Sequence, residues 1–209
     1  MRTVYVVTHP EATHHVEQIV GGWYDSDLTP AGVRATTAIA AALRPGIPDG
    51  AEVEIFSSDL TRTRRTAAEV ARVFGVDPVL DRRLRERSFG EAEGKPRAWL
   101  DGRFLAPPAT GERRLDHVSS PGAEPIRSVA ARAYAAMVEI LAHPCEWQII
   151  VTHGGTLTYL VACWIGMPVE SVGQVAFRSV SGGITTLRED DRFHSREVVA
   201  QGDIRHLKP

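Results

Sequence analysis

The sequence predicts an α/β fold, a mostly parallel central sheet with helices on both faces. Strand-length hydrophobic runs such as Val4-Tyr5-Val6-Val7 and Gln148-Ile149-Ile150-Val151 alternate with longer stretches of helical spacing. Three of the runs end directly in polar, chemistry-bearing residues: Thr8-His9-Pro10-Glu11, Ser57-Ser58-Asp59 and Thr152-His153-Gly154-Gly155. Parallel strands converge on one crevice at their carboxyl ends, and that is where such folds hold ligands.

In chain order, residues 3–8 form the first strand, followed by a Gly/Asp-rich loop over 21–27. Thr29 before Pro30 suits a helix N-cap with proline in the first turn, opening a helix over 31–43 that Pro45 and Gly46 end. A strand over 52–57 leads into a helix over 61–74 stopped by Gly75, then a short strand over 78–80. Residues 94–125 hold Pro96, Pro107, Pro108, Gly111, Pro121 and Gly122 without periodicity, and read as a lid or cap loop over the crevice. A helix over 126–141, a strand over 148–152, a buried helix over 156–165 and late strands over 175–178 and 183–187 complete the pattern.

With 209 residues and 43% hydrophobic content, the chain suffices for one core, and 1–209 reads as a single domain. A net charge of −2 points to neither nucleic acid nor an anionic membrane as partner, so any anion site is local. No apolar segment has the length of a membrane span or a signal, and the two cysteines suggest no disulfide framework. A cytoplasmic protein is expected. The oligomeric state is open, a homodimer included.

Phosphoryl transfer through a covalent intermediate needs a nucleophile, cations for the equatorial oxygens and an acid for the leaving oxygen. His9 offers a nucleophilic nitrogen at a strand end, and Arg62 a guanidinium from the first turn of the next helix. His153 offers a donor to the phosphoryl group, and Glu86 a proton. His9, His14 and His15 also raise metal ligation, but their spacing matches no metal motif, so they are read as a polar pocket wall with no metal and no cofactor.

Ser57-Ser58-Asp59-Leu60-Thr61-Arg62 with Thr66-Ala67, Leu84-Arg85-Glu86 through Gly94, Gly22-Trp23-Tyr24-Asp25 and Val151-Thr152-His153-Gly154-Gly155 together resemble the histidine phosphatase, or phosphoglycerate mutase-like, superfamily. Even Arg205-His206-Leu207 is similar to its C-terminal strand. The resemblance implies that His9 becomes phosphorylated, that Arg62 and His153 bind the phosphoryl group, and that Glu86 is the acid/base. It further implies substrate contacts from Gly21, Gly22, Arg87 and Gly154. The family's Arg-His-Gly triplet is here Thr8-His9-Pro10, so a bidentate phosphate ligand is absent at Thr8 and a backbone N–H at Pro10. Protonated His14 or His15 would return part of that charge. The expected function is phosphohydrolysis of a small phosphorylated metabolite through phosphohistidine at His9. Altered non-phosphate hydrolysis, or non-catalytic binding of an acidic ligand, are the other readings.

Overall fold

Six strands form one sheet in the order β3-β2-β4-β1-β5-β6: β1 (Arg2–Thr8), β2 (Val53–Ser57), β3 (Val79–Leu80), β4 (Trp147–Thr152), β5 (Ile184–Glu189) and β6 (Arg196–Asp203). The computed structural model describes residues 1–109 and 114–208. β1 to β4 run parallel, β5 is antiparallel to β1, and β6 is antiparallel to β5. Only β5 opposes the common direction, so the sheet is mostly parallel as predicted. Register sets up the site. Thr8 pairs with Thr152 across β1 and β4, and Ser57 with Val151 across β2 and β4. His9, Ser58 and His153 therefore leave the sheet at nearly the same level.

The helices are α1 (Thr13–Val16), α2 (Pro30–Leu43), α3 (Thr61–Phe74), α4 (Arg97–Asp101), α5 (Ile126–Ala142) and α6 (Gly154–Trp164). Alternation along the strands divides the core in two. Val4, Val6 and Ile150 join Met137 of α5 and Leu157 and Leu160 of α6 on one face. Tyr5, Val7, Ile149 and Val151 join Ile39 and Leu43 of α2 and Val70 of α3 on the other. Each fully buried aliphatic side chain contributes roughly 1.5–3 kcal/mol, so both faces of the parallel strands are anchored. Thr29 caps α2 by accepting from the Gly32 amide at 3.0 Å. α3 ends where Gly75 turns left-handed at φ 67°, a conformation glycine adopts without penalty.

Five expectations about elements need correction. Residues 175–178 are not a strand: Val175 and Phe177 pack against the α5–α6 core without a ladder. The penultimate strand is longer than expected, Ile184–Glu189, and the last strand is Arg196–Asp203 rather than the Arg205-His206-Leu207 ending, which is a 3-10 turn. The buried helix starts at Gly154 instead of residue 156, which brings two glycines into its first turn. Finally, 94–125 contains α4 and buries Leu115, Ser119, Ser120 and Ala123; Gly111 of that stretch lies outside the described residues.

Candidate active site

The register fixes the first member of the site. His9 follows β1, and its backbone amide donates to the Thr152 carbonyl at 3.1 Å. Its Nδ1 lies 2.8 Å from the Pro10 carbonyl. A carbonyl only accepts, so Nδ1 carries the ring proton and Nε2 keeps its lone pair. Pro10 has lost an N–H, yet its carbonyl is what orients the ring. Arg62, on the first turn of α3, donates from Nε to that Nε2 at 3.2 Å. Its other nitrogens donate to the carbonyls of Tyr24 at 2.9 Å and Gly22 at 2.7 Å. Three of its five N–H groups are thus spoken for, leaving two for a ligand.

These residues face a cavity of about 260 Å³. Of the residues expected in the site, Thr8, His9, His14, His15, Gly21, Gly22, Arg62, Glu86 and Gly154 line it. Glu86 is held by two backbone amides, Gly155 at 2.9 Å and Arg87 at 2.8 Å. A Cβ at Gly155 would sit 2.4 Å from Glu86 Oε1, so only glycine lets the carboxyl approach the start of α6. Gly22, at φ 62°, is equally constrained, because a Cβ there would meet Glu93 Oε1 at 2.7 Å.

Two expected residues are placed otherwise. Arg87 does not line the cavity; it donates to the carbonyls of Glu124 at 2.7 Å and His117 at 2.9 Å, and so ties the 94–125 stretch to the body. A guanidinium engaged in this way is a structural clamp rather than a substrate contact. His153 is fully buried and does not line the cavity either. It stands edge-on to His9, ring centroids 5.1 Å apart, with Nε2 2.9 Å from Ser58 Oγ. Four lining residues escaped the sequence analysis: Phe89, Arg97, Ser179 and Ser181. Arg97 starts α4 inside the aperiodic stretch, and no motif marks it.

The histidines are kept neutral. Burial, then the Arg62 guanidinium, pushes the His9 pKa well below the usual imidazole range, with the Pro10 carbonyl opposing. His153 is lowered in the same way, by burial and then Arg62. His14 falls to about 3 through burial, then His15, Arg62 and Arg97. His15 is lowered by burial, Arg62 and Arg97, against Glu11. The protonated His14 or His15 expected to replace a guanidinium at Thr8 is therefore not present, because both rings are desolvated beside two arginines. His15 is further fixed as a neutral ring: its Nδ1 accepts the Ala12 amide at 3.1 Å, so its proton sits on Nε2. Arg62 itself is 1% exposed, and burial draws its pKa down to about 10.

The model of the histidine phosphatase superfamily (branch 1) matches residues 4–198. The chain belongs to this superfamily. It is 31% identical over 222 aligned positions to the probable phosphoglycerate mutase GpmB of Salmonella, covering 99% of this chain and 95% of the relative. Bacillus stearothermophilus YhfR superposes with a TM-score of 0.78 at 25% identity over the full length of both chains. A mycobacterial glucosyl-3-phosphoglycerate phosphatase solved with VO3 gives 0.78 at 25% identity, covering 97% of this chain and 99% of that one.

Proposed function

We propose that the chain is a phosphohydrolase that takes the phosphoryl group of a small phosphorylated metabolite onto His9 and passes it to water. His9 Nε2 attacks phosphorus while Glu86 gives a proton to the departing oxygen; Glu86 then draws the proton from the water that attacks the phosphohistidine. The two free N–H groups of Arg62 serve the equatorial oxygens, and the start of α6 at Gly154 adds the favourable end of a helix dipole. His153 acts as a positioning residue through its edge contact with His9.

The observation that carries this reading is the aimed lone pair. The Pro10 carbonyl holds the Nδ1 proton, burial keeps the ring neutral, and the buried Arg62 Nε donates to Nε2, a bond that a substrate oxygen would take over as the lone pair turns to phosphorus. Intact-mass measurement after brief exposure to a panel of phosphorylated small molecules, paired with phosphate release, tests it. An adduct mapped to His9 is expected. No adduct and no turnover across the panel removes the reading.

A further inference from the structure

The cavity is poor in charge and has a neighbour. Its described walls carry two guanidinium groups, Arg62 and Arg97, and one carboxyl group, Glu86. Arg97 is exposed, so Arg62 is the one buried cation among the described lining residues. At Thr8 the wall offers a neutral donor: the residue is 4% exposed, and its Oγ1 is buried without a hydrogen-bond partner. His15 adds a second neutral donor, the Nε2–H left by its bond from Ala12. Beside the cavity lies a groove of about 680 Å³. His15 and Ser181 line both spaces, whereas Glu86 lines the cavity alone. Ala31, Ala35 and Ala38, on one face of α2, floor the groove, with Pro10 and Leu207 against them and Glu11, Arg34 and His206 completing its walls.

A doubly charged phosphoryl group placed here would face one buried cation and the Glu86 carboxyl group. Arg62 and the start of α6 answer one negative charge, and a second charge in excess of its buried partners is unfavourable. An uncharged ester oxygen, in contrast, suits a hydroxyl and an imidazole N–H. We infer that the site takes a phosphoryl centre bearing a single negative charge, a phosphodiester whose retained aromatic or aliphatic substituent lies in the alanine-floored groove. This rests on the phosphohydrolase reading and names its substrate class.

The step closes chemically. The His9 Nε2 lone pair forms the N–P bond, and the bond from phosphorus to the leaving oxygen breaks with its electrons as Glu86 protonates that oxygen. Water then attacks phosphorus, gives a proton to Glu86, and the N–P electrons return to Nε2. The products are an alcohol and a phosphomonoester.

Bis(4-nitrophenyl) phosphate and 4-nitrophenyl phosphate release the same leaving group, so comparing them isolates charge and the second substituent. At about pH 8 the monoester is a dianion, its second pKa being about 6. The diester is expected to show a kcat/KM at least ~10-fold higher, the low end of what filling an apolar subsite contributes. It should release one nitrophenol per diester consumed, and the adduct on His9 should retain a nitrophenyl group. Ala35→Trp, which fills the groove, should lower the diester-to-monoester ratio by ~10-fold. Faster turnover of the monoester at this pH overturns the inference in the unaltered enzyme and leaves the phosphohydrolase reading intact. An unchanged ratio in a folded Ala35→Trp variant overturns the groove assignment. Absence of turnover and adduct on both esters overturns the inference, and the phosphohydrolase reading falls with it only when the panel of phosphorylated small molecules also gives neither.

Discussion

Arg62→Ala separates catalysis from folding in a way the hydrogen bonds make quantitative. Truncation strands the carbonyls of Tyr24 and Gly22, which Arg62 now satisfies at 2.9 and 2.7 Å. The stranded Gly22 acceptor is buried and costs about 1–3 kcal/mol, and the part-buried Tyr24 acceptor costs less. An opposing effect is also removed. Burial draws the guanidinium from its ordinary 12.5 to about 10. The group stays charged at neutral pH, so the folded state bears a penalty of roughly 3 kcal/mol at 1.36 kcal/mol per unit. The variant should therefore range from about 2 kcal/mol more stable to about 3 kcal/mol less stable. Catalysis has no such compensation. Loss of one preorganised donor lowers turnover by about 10²–10³, and His9 loses the contact at its Nε2 as well. Urea unfolding and nitrophenol release, measured on the same preparation, read the two quantities. Turnover within a few-fold of wild type at intact stability refutes the reasoning, as does a stability loss far beyond 3 kcal/mol with turnover falling in proportion.

Glu86→Gln removes the proton and keeps one acceptor, its amide NH2 leaving either the Gly155 or the Arg87 N–H unmatched, so alkyl ester hydrolysis should fall by ~10²-fold or more and aryl ester hydrolysis by less; equal losses on the two ester types would argue against an acid role. Thr8→Arg puts a second buried cation in the cavity and should raise kcat/KM for dianionic 4-nitrophenyl phosphate by ~10-fold. A folded Thr8→Arg variant with no such rise would show that charge at this position does not limit the reaction. His14 titrates near 3 when folded and near 6.5 in the open chain. Its stabilising contribution is present above 6.5 and is lost as pH falls towards 3, because the unfolded chain binds the proton first; after solvent screening the loss is at most a few kcal/mol. His14→Asn should flatten that part of the acid slope in urea titrations, and an identical slope in the variant would exclude His14 as its source.

The strands and helices that bury a face were readable because their periodicity reports that face. β1, β2, β4, α2, α3 and α5 fall within a residue or two of expectation. β6 was not readable: it is an edge strand with mostly exposed or half-buried residues, so Arg196, Glu197, Gln201 and Gly202 carry no alternating apolar signal. Val175 and Phe177 misled for the opposite reason, since they pack on the core without pairing. Within the site, motif position found His9, Arg62 and Glu86, but charge state depends on surroundings that only folding assembles. His14 and His15 look titratable along the chain and are neutral once desolvated beside Arg62 and Arg97. Arg87 stands in a signature segment, yet its partners are the distant carbonyls of His117 and Glu124. Arg97 lies in a stretch whose only sequence mark is a lack of periodicity.

The 94–125 stretch is pinned close to both ends. Gly94 donates to the Val20 carbonyl at 3.0 Å, and Arg97 to the Gln18 carbonyl at 2.9 Å. At the other end the Glu124 amide donates to the Ser88 carbonyl at 2.9 Å, while Ser120 Oγ donates to the Phe89 carbonyl at 2.8 Å. The anchoring partners are main-chain carbonyls on segments bordering the cavity, which makes these particular bonds indifferent to side-chain identity there. Such a segment is a natural cassette for exchange between relatives. Swapping the stretch between its two anchors should exchange the Arg97 face of the cavity, while the α2 groove, the nucleophile and its arginine stay in their own scaffold.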